Sequence, residues 1–415
     1  MKYLSGLKNK NLLNQVCLLP VDLNVKSDES LDSNPRISGI LPTIQFLIKR
    51  GAKIVILSHR GRPNSKSYKL KTKNYTLRPF AKILSKLLKR PVKFISFNMG
   101  TSDVPTLTSI LRTSDVLLLE NLRFFPAEDK NNKNFAKKLA SLGDFYVNDA
   151  FGVSHRANAS VAAITKFLPS FAGLLLEKEI KNLSLIINPF DKAQGSRRVY
   201  RGVKKTKHPF VIILGGAKIS DKIELIKNFL NKTDHFLIGG GIANTFIAAQ
   251  DLPVGDSLYE KEMIPTAKKL LKSKKIILPV DFKLSNRKIL DIGPKTAEKY
   301  GEIIKNARMI IWNGPMGYIE DKKFRRGSEE ISRALVKSKA FVVVGGGETI
   351  SILKTKNYKL KTNVFISTGG GAMLEYLADK KLPGIEALNI RKNNPKDSKK
   401  FKKAAVRIVS DKIRI

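Results

Sequence analysis

The sequence predicts an α/β fold in which parallel sheets are distributed over two or three domains. The chain has 415 residues, more than one hydrophobic core accommodates, since a domain averages roughly 150 residues. Short apolar strands alternate with amphipathic helices, which is the pattern of parallel α/β sheets. The pattern also changes near the middle of the chain, where glycine clusters begin to follow the strands. We therefore expect at least two sheets of different character.

The first half of the chain contains five predicted strands with amphipathic helices between them. Apolar residues recur at helical spacing in residues 76–90 and 134–143. A longer helix is predicted over residues 170–187, directly after Pro169. The predicted strands are residues 16–24, 52–59, 92–96, 115–124 and 144–151.

The second half repeats one unit, which consists of a strand, a glycine cluster and a helix. Residues 188–209, before the first of these units, lack periodicity and are rich in proline, glycine and basic residues, which is typical of a linker or an insertion. The chain after Leu388 is charged and is interpreted as an extension. The repeated units are residues 210–222, 235–246, 309–317, 341–349 and 364–372.

The net charge is the unusual property of the composition. Lys and Arg number 77 against 35 Asp and Glu, which leaves +42. Such an excess attracts phosphorylated metabolites, nucleic acid or anionic membranes. The lysines are spread along the chain without a nucleic-acid-binding signature, so a general lysine bias is the preferred explanation.

Several classes of protein are excluded by simple counts. A single cysteine, Cys17, excludes a disulfide framework and a cysteine-based zinc site. The longest apolar runs have the length of strands, and the N-terminus lacks the apolar segment of a secretory signal. We therefore expect a cytoplasmic protein.

Cationic and short polar side chains follow the predicted strands of the first half. Ligands of parallel α/β sheets bind beyond the carboxyl ends of the strands, so these side chains are expected to share one crevice. Several arginines in one crevice repel one another unless an anion neutralises them, and guanidinium groups fit carboxylates and phosphates. The sequence predicts a site for a small acid that carries both groups. Its candidate residues are Asp22, Asn24, Arg36 in the loop after the first strand, His59, Arg62, Arg123, Asn148, Asp149, His155 and Arg156.

The glycine clusters of the second half indicate a nucleotide site. Glycine lets backbone N–H groups approach phosphate oxygens, and the N-terminus of a following helix favours negative charge. Neither the P-loop motif nor the dinucleotide fingerprint occurs. Lys218 and Lys222 are four residues apart at the predicted opening of a helix, so both can point toward phosphate from one face. Glu348 is a candidate ligand for Mg²⁺.

The chemistry is indicated partly by residues that the motifs do not contain. The motifs hold no Ser–His–Asp, Cys–His or HExxH arrangement, and the chain has four histidines. Groups that bind anions without a general base suit phosphoryl transfer onto a nucleophile that is already ionised, such as a carboxylate. Catalysis would then consist of alignment and charge neutralisation.

A series of motifs from Asp22 to Leu388 resembles the phosphoglycerate kinase family in that family's order. The resemblance implies two Rossmann-like parallel-sheet domains that face each other across a cleft and are joined by a long helix, about which the domains close. It implies an N-terminal phosphoglycerate-binding domain over 1–168, the interdomain helix over 169–187, a nucleotide-binding domain over 188–388 with a basic insertion at 188–209, and an extension over 389–415. The motifs are VDLNV, LSHRGRP, LLENLRF, YVNDAFGVSHRA, LGGAKISDKI, LIGGGIANTF, LDIGPKT, IIWNGPMG, VVGGGET, STGGGAMLEYL and LPGIEAL.

The resemblance also implies roles for individual residues. The substrates would be 3-phosphoglycerate or 1,3-bisphosphoglycerate, together with ADP or ATP and Mg²⁺, and the protein would be a monomer. Arg36 would face the phosphoryl group in transit, Lys218 would stabilise it, and Lys222 would contact nucleotide phosphates. The acid site would comprise Asp22, Asn24, Arg36, His59, Arg62, Arg123 and Arg156. The adenine and ribose pocket would comprise Gly215, Gly216, Gly239, Gly240, Asn313, Pro315 and Glu320. The phosphate and metal loop would comprise Gly346, Gly347, Glu348 and Thr349, with Gly369, Gly370 and Gly371 at an anion-stabilising helix start.

The sequence departs from the family pattern at a few positions. Glu348 stands where the family usually has Asp, Ile289 where a glycine is expected near the nucleotide, Pro20 where arginine is usual, and Asn158 where a second histidine is usual. Two alternatives therefore stay open. One is a homologue that binds nucleotide with weak or no transfer, and the other is a homologue with an added anion- or nucleic-acid-binding role suggested by the charge.

Overall fold

The protein divides into two compact units, each of which has its own sheet. The N-terminal unit comprises residues 1–181 together with the described residues from Lys381 onward, and the C-terminal unit comprises residues 182–380. The predicted domain boundaries stay predictions. The predicted insertion lies outside the described residues except for His208 and Pro209, and the predicted extension except for Asn389. This computed structural model describes residues 1–25, 31, 34–61, 63, 74–96, 109–111, 113–187, 208–355 and 362–389.

The sheet of the N-terminal unit has six parallel strands in the order β3-β4-β2-β1-β5-β6. β1 and β2 end in register at Pro20 and Leu57. Because β4, β2, β1 and β5 are neighbours, the chain leaves all four at one edge of the sheet. The strands are β1 Val16–Pro20, β2 Lys53–Leu57, β3 Val92–Ile95, β4 Val116–Leu119, β5 Phe145–Asn148 and β6 Ser170–Ala172.

The sheet of the C-terminal unit also has six parallel strands, in the order β14-β13-β12-β7-β8-β9. Beside it lies an antiparallel hairpin of β10 and β11, whose turn residues Asn286 and Arg287 have φ of 46° and 60°. The strands are β7 Phe210–Leu214, β8 His235–Ile238, β9 Ile276–Ile277, β10 Phe282–Ser285, β11 Lys288–Ile292, β12 Met309–Asn313, β13 Phe341–Gly345 and β14 Val364–Ile366.

Some of the helices begin at recognisable capping residues. The first helix begins at Pro35, where the Asn34 side chain accepts a hydrogen bond from the Arg36 N–H, so cap and proline together define the start. The helices are α1 Pro35–Ile48, α2 Arg78–Leu88, α3 Pro126–Asp129, α4 Lys133–Ala140, α5 Leu174–Ile187, α6 Ile223–Phe229, α7 Gly240–Ala248, α8 Ile264–Leu271, α9 Pro294–Asn306, α10 Arg326–Lys337, α11 Gly347–Thr355, α12 Gly371–Leu377 and α13 Pro383–Asn389.

The central strands of both sheets are apolar on both faces. The residues of β4, β7 and β12 are buried throughout, as expected when helices cover both faces of a parallel sheet. The single tryptophan, Trp312, lies fully buried in β12 and donates its indole N–H to the Gly314 carbonyl at 2.9 Å. A packed core of this kind holds the loops at the strand ends in fixed positions.

The predicted strands of both halves are confirmed as parallel strands, although most end before the polar residues that follow them; β5 and β12 include Asn148 and Asn313. The predicted long helix is wrong at its start. Ser170–Ala172 forms β6, which pairs with β5, and α5 begins only at Leu174. Apolar residues of a short edge strand and of a helix have the same composition, so sequence periodicity did not separate them. The hairpin of β10 and β11 was not predicted either.

Candidate functional site

Arg36 lies beside the two polar residues that follow β1. Its guanidinium group donates to the Asn24 carbonyl at 2.6 Å and lies 3.4 Å from the Asp22 carboxylate. The prediction that Arg36 lies in a loop is wrong, since it is the second residue of α1. The N-terminus of α1 therefore directs this guanidinium group back over the carboxyl end of β1.

The backbone of Gly61 links the ends of three strands. Its N–H donates to Asn24 Oδ1 at 2.9 Å, and its carbonyl accepts a hydrogen bond from Arg123 at 2.7 Å. Arg123 follows β4, and its side chain is only 4% exposed. The neighbouring Arg62 lies outside the described residues. Asn24 and Arg123 are thereby brought together although 99 positions of sequence numbering separate them.

His59 lies among charges of both signs at the end of β2. Burial lowers its pKa to about 4; the Asp22 carboxylate opposes this shift, and the positive charges of Arg123 and Arg156 add to it. The imidazole is therefore neutral at pH 7. Arg156 in turn donates from Nε to the His155 ring at 3.2 Å. Charged residues that follow β1, β4 and β5 therefore interact with His59, which follows β2.

A buried neutral histidine has a measurable consequence. Since the folded protein holds the pKa of His59 below its ordinary value near 6.5, the unfolded chain binds a proton that the folded chain does not between about pH 6.5 and 4. We expect the free energy of unfolding to fall as the pH is lowered through this window, and to fall less in His59→Gln. The ring resonances of His59 should not titrate between pH 8 and 5 in nuclear magnetic resonance spectra. A midpoint near 6.5 would contradict this.

Two predicted residues of the same crevice have a structural function instead. Asn148 and Asp149 are fully buried. Asp149 accepts the N–H groups of Leu175 and Leu176 at 2.9 and 3.1 Å, so it caps α5. Burial raises the pKa of Asp149 to about 7, against the hydrogen bonds that it accepts. Both side chains are therefore enclosed by protein and are not available to a ligand.

Asn121 is a residue of this site that the sequence analysis missed. It is fully buried, its amide N–H groups donate to the Arg60 and Tyr75 carbonyls, and its oxygen accepts the Arg123 N–H at 3.1 Å. It comes two residues after β4, the position that drew attention to the other candidates. It holds the loops that carry His59 and Arg123 against each other.

The first glycine clusters of the C-terminal unit lie where the chain after β7, β8 and β12 comes together. Gly216 donates its N–H to the Pro315 carbonyl, and Gly240 donates to the Met316 carbonyl, both at 2.8 Å. Gly215 and Gly239 likewise donate to Asn313 and Leu214. The N–H groups of these four glycines are engaged within the protein, so the general expectation that glycine-cluster amides approach phosphate does not hold for them; the resemblance assigns them to the adenine and ribose pocket, and that assignment stays a prediction. The four glycines allow backbones to pack closely.

Lys218 and Lys222 lie in the loop between β7 and α6. The prediction that they share a helix face is wrong, since α6 begins only at Ile223. Lys218 is exposed, whereas Lys222 is partly buried. Burial lowers the pKa of Lys222, and the nearby carboxylates of Asp221 and Glu348 oppose this shift. Lys222 is thus held close enough to Glu348 for the two charges to interact.

A pocket of about 660 Å³ opens beside these loops and has the size of a nucleotide site. Of the predicted residues, Gly216, Gly240, Pro315, Glu320 and Glu348 line it. The sequence analysis missed its apolar walls, which include Leu258, 61% exposed, and Tyr318, 52% exposed. Large apolar side chains held in contact with solvent are suited to cover the flat face of a base. Ile289, one of the departures, also lines the pocket.

The remaining predicted residues lie at the ends of β12, β13 and β14. Asn313 and Thr349 are buried, and the Thr349 hydroxyl accepts the Gly314 N–H at 2.8 Å, so it joins two loops. Gly346 has a φ of 94°, and α11 begins after it at Gly347. The first N–H groups of α11 have no partner within the helix, which suits them to an anion. Gly369 precedes α12, with Gly370 as its cap and Gly371 as its first residue.

Glu348 is the candidate metal ligand, and its carboxylate is exposed in the first turn of α11. No group of three or more histidine, cysteine or acidic side chains in the described residues is arranged to hold a metal ion. Magnesium in phosphate-transferring sites is bound by one or two carboxylates together with substrate phosphates and water. A single exposed carboxylate at a helix start that is suited to an anion fits that mode of binding.

Comparison with known proteins gives matches over nearly the whole chain. A family model described as phosphoglycerate kinase matches residues 7–380. A phosphoglycerate kinase of Moorella thermoacetica is 39% identical over 407 residues, 92% of this chain and 98% of the relative. One of Finegoldia magna is 40% identical over 412 residues, 93% of this chain and 99% of the relative.

Two solved structures are similar over the same extent. Phosphoglycerate kinase from Coxiella burnetii matches with a TM-score of 0.72 and 35% identity over 93% of this chain and 98% of that chain. The enzyme from Pyrococcus horikoshii OT3 matches with a TM-score of 0.77 and 32% identity over 94% and 99%. In addition, no helix in the described part of the chain is long and apolar enough to cross a membrane.

Proposed function

The chain belongs to the phosphoglycerate kinase family, and we propose that each of its two units holds one of the two substrates of that family's reaction. The activity is reversible phosphoryl transfer between 1,3-bisphosphoglycerate and ADP, which yields 3-phosphoglycerate and ATP. It is a phosphotransferase reaction with a carboxyl group as acceptor. The comparisons give no support to an added nucleic-acid-binding role.

The N-terminal unit is proposed to bind the phosphoglycerate. The observation that carries this assignment is that Arg123, Arg156 and Asp22, the ion-pair partner of Arg36, all act on one buried, neutral histidine. Asp22 and Asp129 lie 3.4 and 3.5 Å from Arg36 and Arg123, and a substrate with a phosphate and a carboxylate would add further negative charge for the three arginines. His59 is neutral there, so it serves as a hydrogen-bonding partner of the substrate and not as a cation. Asn24 and the sequence-predicted Arg62 complete the proposed set.

The C-terminal unit is proposed to bind the nucleotide. The base and ribose would occupy the pocket between Leu258, Tyr318 and Glu320, and the phosphates would extend toward Lys222 and the start of α11. Mg²⁺ would be held by Glu348 and the nucleotide phosphates, and when bound it neutralises phosphate charge. Gly370 and Gly371 would offer their backbone N–H groups to the transferring phosphoryl group, since the Gly369 N–H donates to the Ser367 hydroxyl at 3.2 Å.

Transfer needs alignment and charge neutralisation more than proton transfer. The acceptor carboxylate of 3-phosphoglycerate is ionised at neutral pH, so no general base has to remove a proton from it. Lys218 would stabilise the three oxygens of the phosphoryl group, and Arg36 would face the same group from the acid side. Closure of the units about α5, a cytoplasmic location and a monomeric state stay predictions that belong to this proposal.

The proposed function is tested by an assay of ATP consumption with 3-phosphoglycerate as acceptor. We expect Mg²⁺-dependent turnover that chelation abolishes, and we expect Arg36→Ala to lower kcat by about 10- to 100-fold because it removes charge neutralisation of the phosphoryl group. Arg90→Ala is the matched control, since Arg90 is a half-exposed arginine of the same unit that pairs with Asp115. Absence of turnover would support the nucleotide-binding homologue without transfer. Turnover in Arg36→Ala equal to that of Arg90→Ala would contradict the role of Arg36.

A further inference from the structure

The loop that carries Lys218 and Lys222 is held by a carboxylate from another part of the chain. Glu260 accepts the backbone N–H of Ser220 through Oε2 at 2.9 Å and the Ser220 hydroxyl through Oε1 at 2.5 Å. Both oxygens of one carboxylate thus bind one residue, which lies midway between the two lysines. A two-point attachment of this kind restrains the direction of the loop as well as its distance.

Glu260 is also hydrogen-bonded to α7, the helix that begins at Gly240. The backbone N–H of Glu260 donates to the Thr245 hydroxyl at 3.1 Å, and Thr245 is a fully buried residue of α7. The chain directly before Glu260, residues 256–259, lines the 660 Å³ pocket. Glu260 therefore joins the pocket wall, the helix that begins at Gly240 and the loop of the two lysines.

The charge of Glu260 also acts on the loop. Partial burial alone would raise the pKa of Glu260, but the hydrogen bonds from Ser220 and Ile219 and the positive charge of Lys218 outweigh it and lower the pKa. The carboxylate is therefore ionised at neutral pH. Its charge offsets part of the repulsion between two lysines on one short loop, and does so without contacting the substrate side of the pocket.

We propose that Glu260 is a positioning residue that fixes Lys218 for phosphoryl transfer through its two-point hold on Ser220. The inference rests on the proposed role of Lys218. Glu260 neither binds substrate nor transfers a proton in this proposal. Its contribution is the placement of a cation whose alignment decides the rate, since a displacement of about 1 Å in such a group lowers rates by about 100-fold.

The experiment compares kcat and KM of Glu260→Ala and Glu260→Gln with those of Glu262→Ala, an exposed glutamate two residues away. We expect Glu260→Ala to lower kcat by about 10- to 100-fold, with the KM for ADP changed less than about threefold. Glu260→Gln keeps one oxygen acceptor and should recover part of the loss. If Glu260→Ala has the kcat of Glu262→Ala, or if its KM rises as much as its kcat falls, the proposal is wrong.

A double-variant cycle separates positioning from a general structural role. If Glu260 acts through Lys218, Glu260→Ala should have little further effect on kcat in a Lys218→Ala background, because the group that it positions is gone. Equal losses in both backgrounds would overturn the proposal. Loss of turnover in Lys218→Ala alone tests the proposed function separately, so the two failures are distinguishable. Trp312 fluorescence monitors unfolding of the unit in each variant, and a loss of kcat that merely follows unfolding would also overturn the proposal.

Discussion

Lys218→Ala is expected to lower kcat by about 100- to 1,000-fold while the KM values of both substrates change little. The lysine is proposed to neutralise charge that develops on the phosphoryl group during transfer, and removal of one such group in other enzymes has an effect of this size. Ground-state binding would be maintained by Lys222, the start of α11 and the walls of the pocket. Steady-state kinetics in both directions, with saturating Mg²⁺, measure the two parameters separately.

The control for this variant is Lys227→Ala in the same unit. Lys227 is an exposed lysine of α6 that pairs with Glu224, so its removal changes the net charge equally and leaves the loop unaffected. Because Lys218 is itself exposed, the variant should fold as well as the control. A raised KM with unchanged kcat would show that Lys218 contributes only to binding. Equal kinetics in the two variants would exclude Lys218 from the reaction.

Gly215→Ala is expected to destabilise the C-terminal unit strongly and to weaken nucleotide binding. A Cβ atom at Gly215 would lie 2.0 Å from the Pro315 carbonyl oxygen, which is a backbone atom. Neither chain can retreat, since Gly215 donates to Asn313 at 3.0 Å and Gly216 donates to Pro315 at 2.8 Å. We expect a loss of about 3 kcal/mol or more in the free energy of unfolding.

The single tryptophan makes this loss measurable in the relevant unit. Trp312 is buried in β12, so its fluorescence reports unfolding of the C-terminal sheet during thermal or urea denaturation. Gly301→Ala is the control, since nothing lies within 4 Å of a Cβ at Gly301 in the middle of α9. That substitution should leave stability unchanged or raise it by up to about 1 kcal/mol. Equal stability of the two variants would refute the packing explanation for Gly215.

Much of the site was predictable because of where residues stand relative to strands. Asp22, His59 and Arg123 each follow a buried apolar strand, and parallel strands end at one edge of a sheet. The same reasoning could have found Asn121, which also follows a strand. It failed for Asp149, because the position after a strand serves equally well for capping α5, and for Asn148, because that residue is the buried last residue of β5. Sequence position does not distinguish a side chain that faces a ligand from one that is buried beneath the site.

The glycine clusters also show that sequence position does not reveal which group a residue binds. Their presence predicted a nucleotide site, and a pocket lies beside them, but the general reason given, amides that approach phosphate, does not apply to Gly215, Gly216, Gly239 and Gly240. Their N–H groups bind carbonyls of neighbouring loops. The partners lie up to about 100 positions away in the numbering, for example Gly216 and Pro315, and no local pattern encodes such a pairing. Glu260 escaped notice for the same reason, since its partner Ser220 is 40 positions distant.

By itself, the sequence determined the fold class, the family and the strands of both sheets except β6 and β9, one edge strand of each sheet, because apolar periodicity and ordered motifs are local properties of the chain. Only the tertiary structure decided what each polar group does. Whether a carboxylate caps a helix, as Asp149 does, or restrains a catalytic loop, as we propose for Glu260, depends on which atoms distant segments bring within hydrogen-bonding distance. Burial then sets the charge state, as for the neutral His59, and burial is a property of the packed chain.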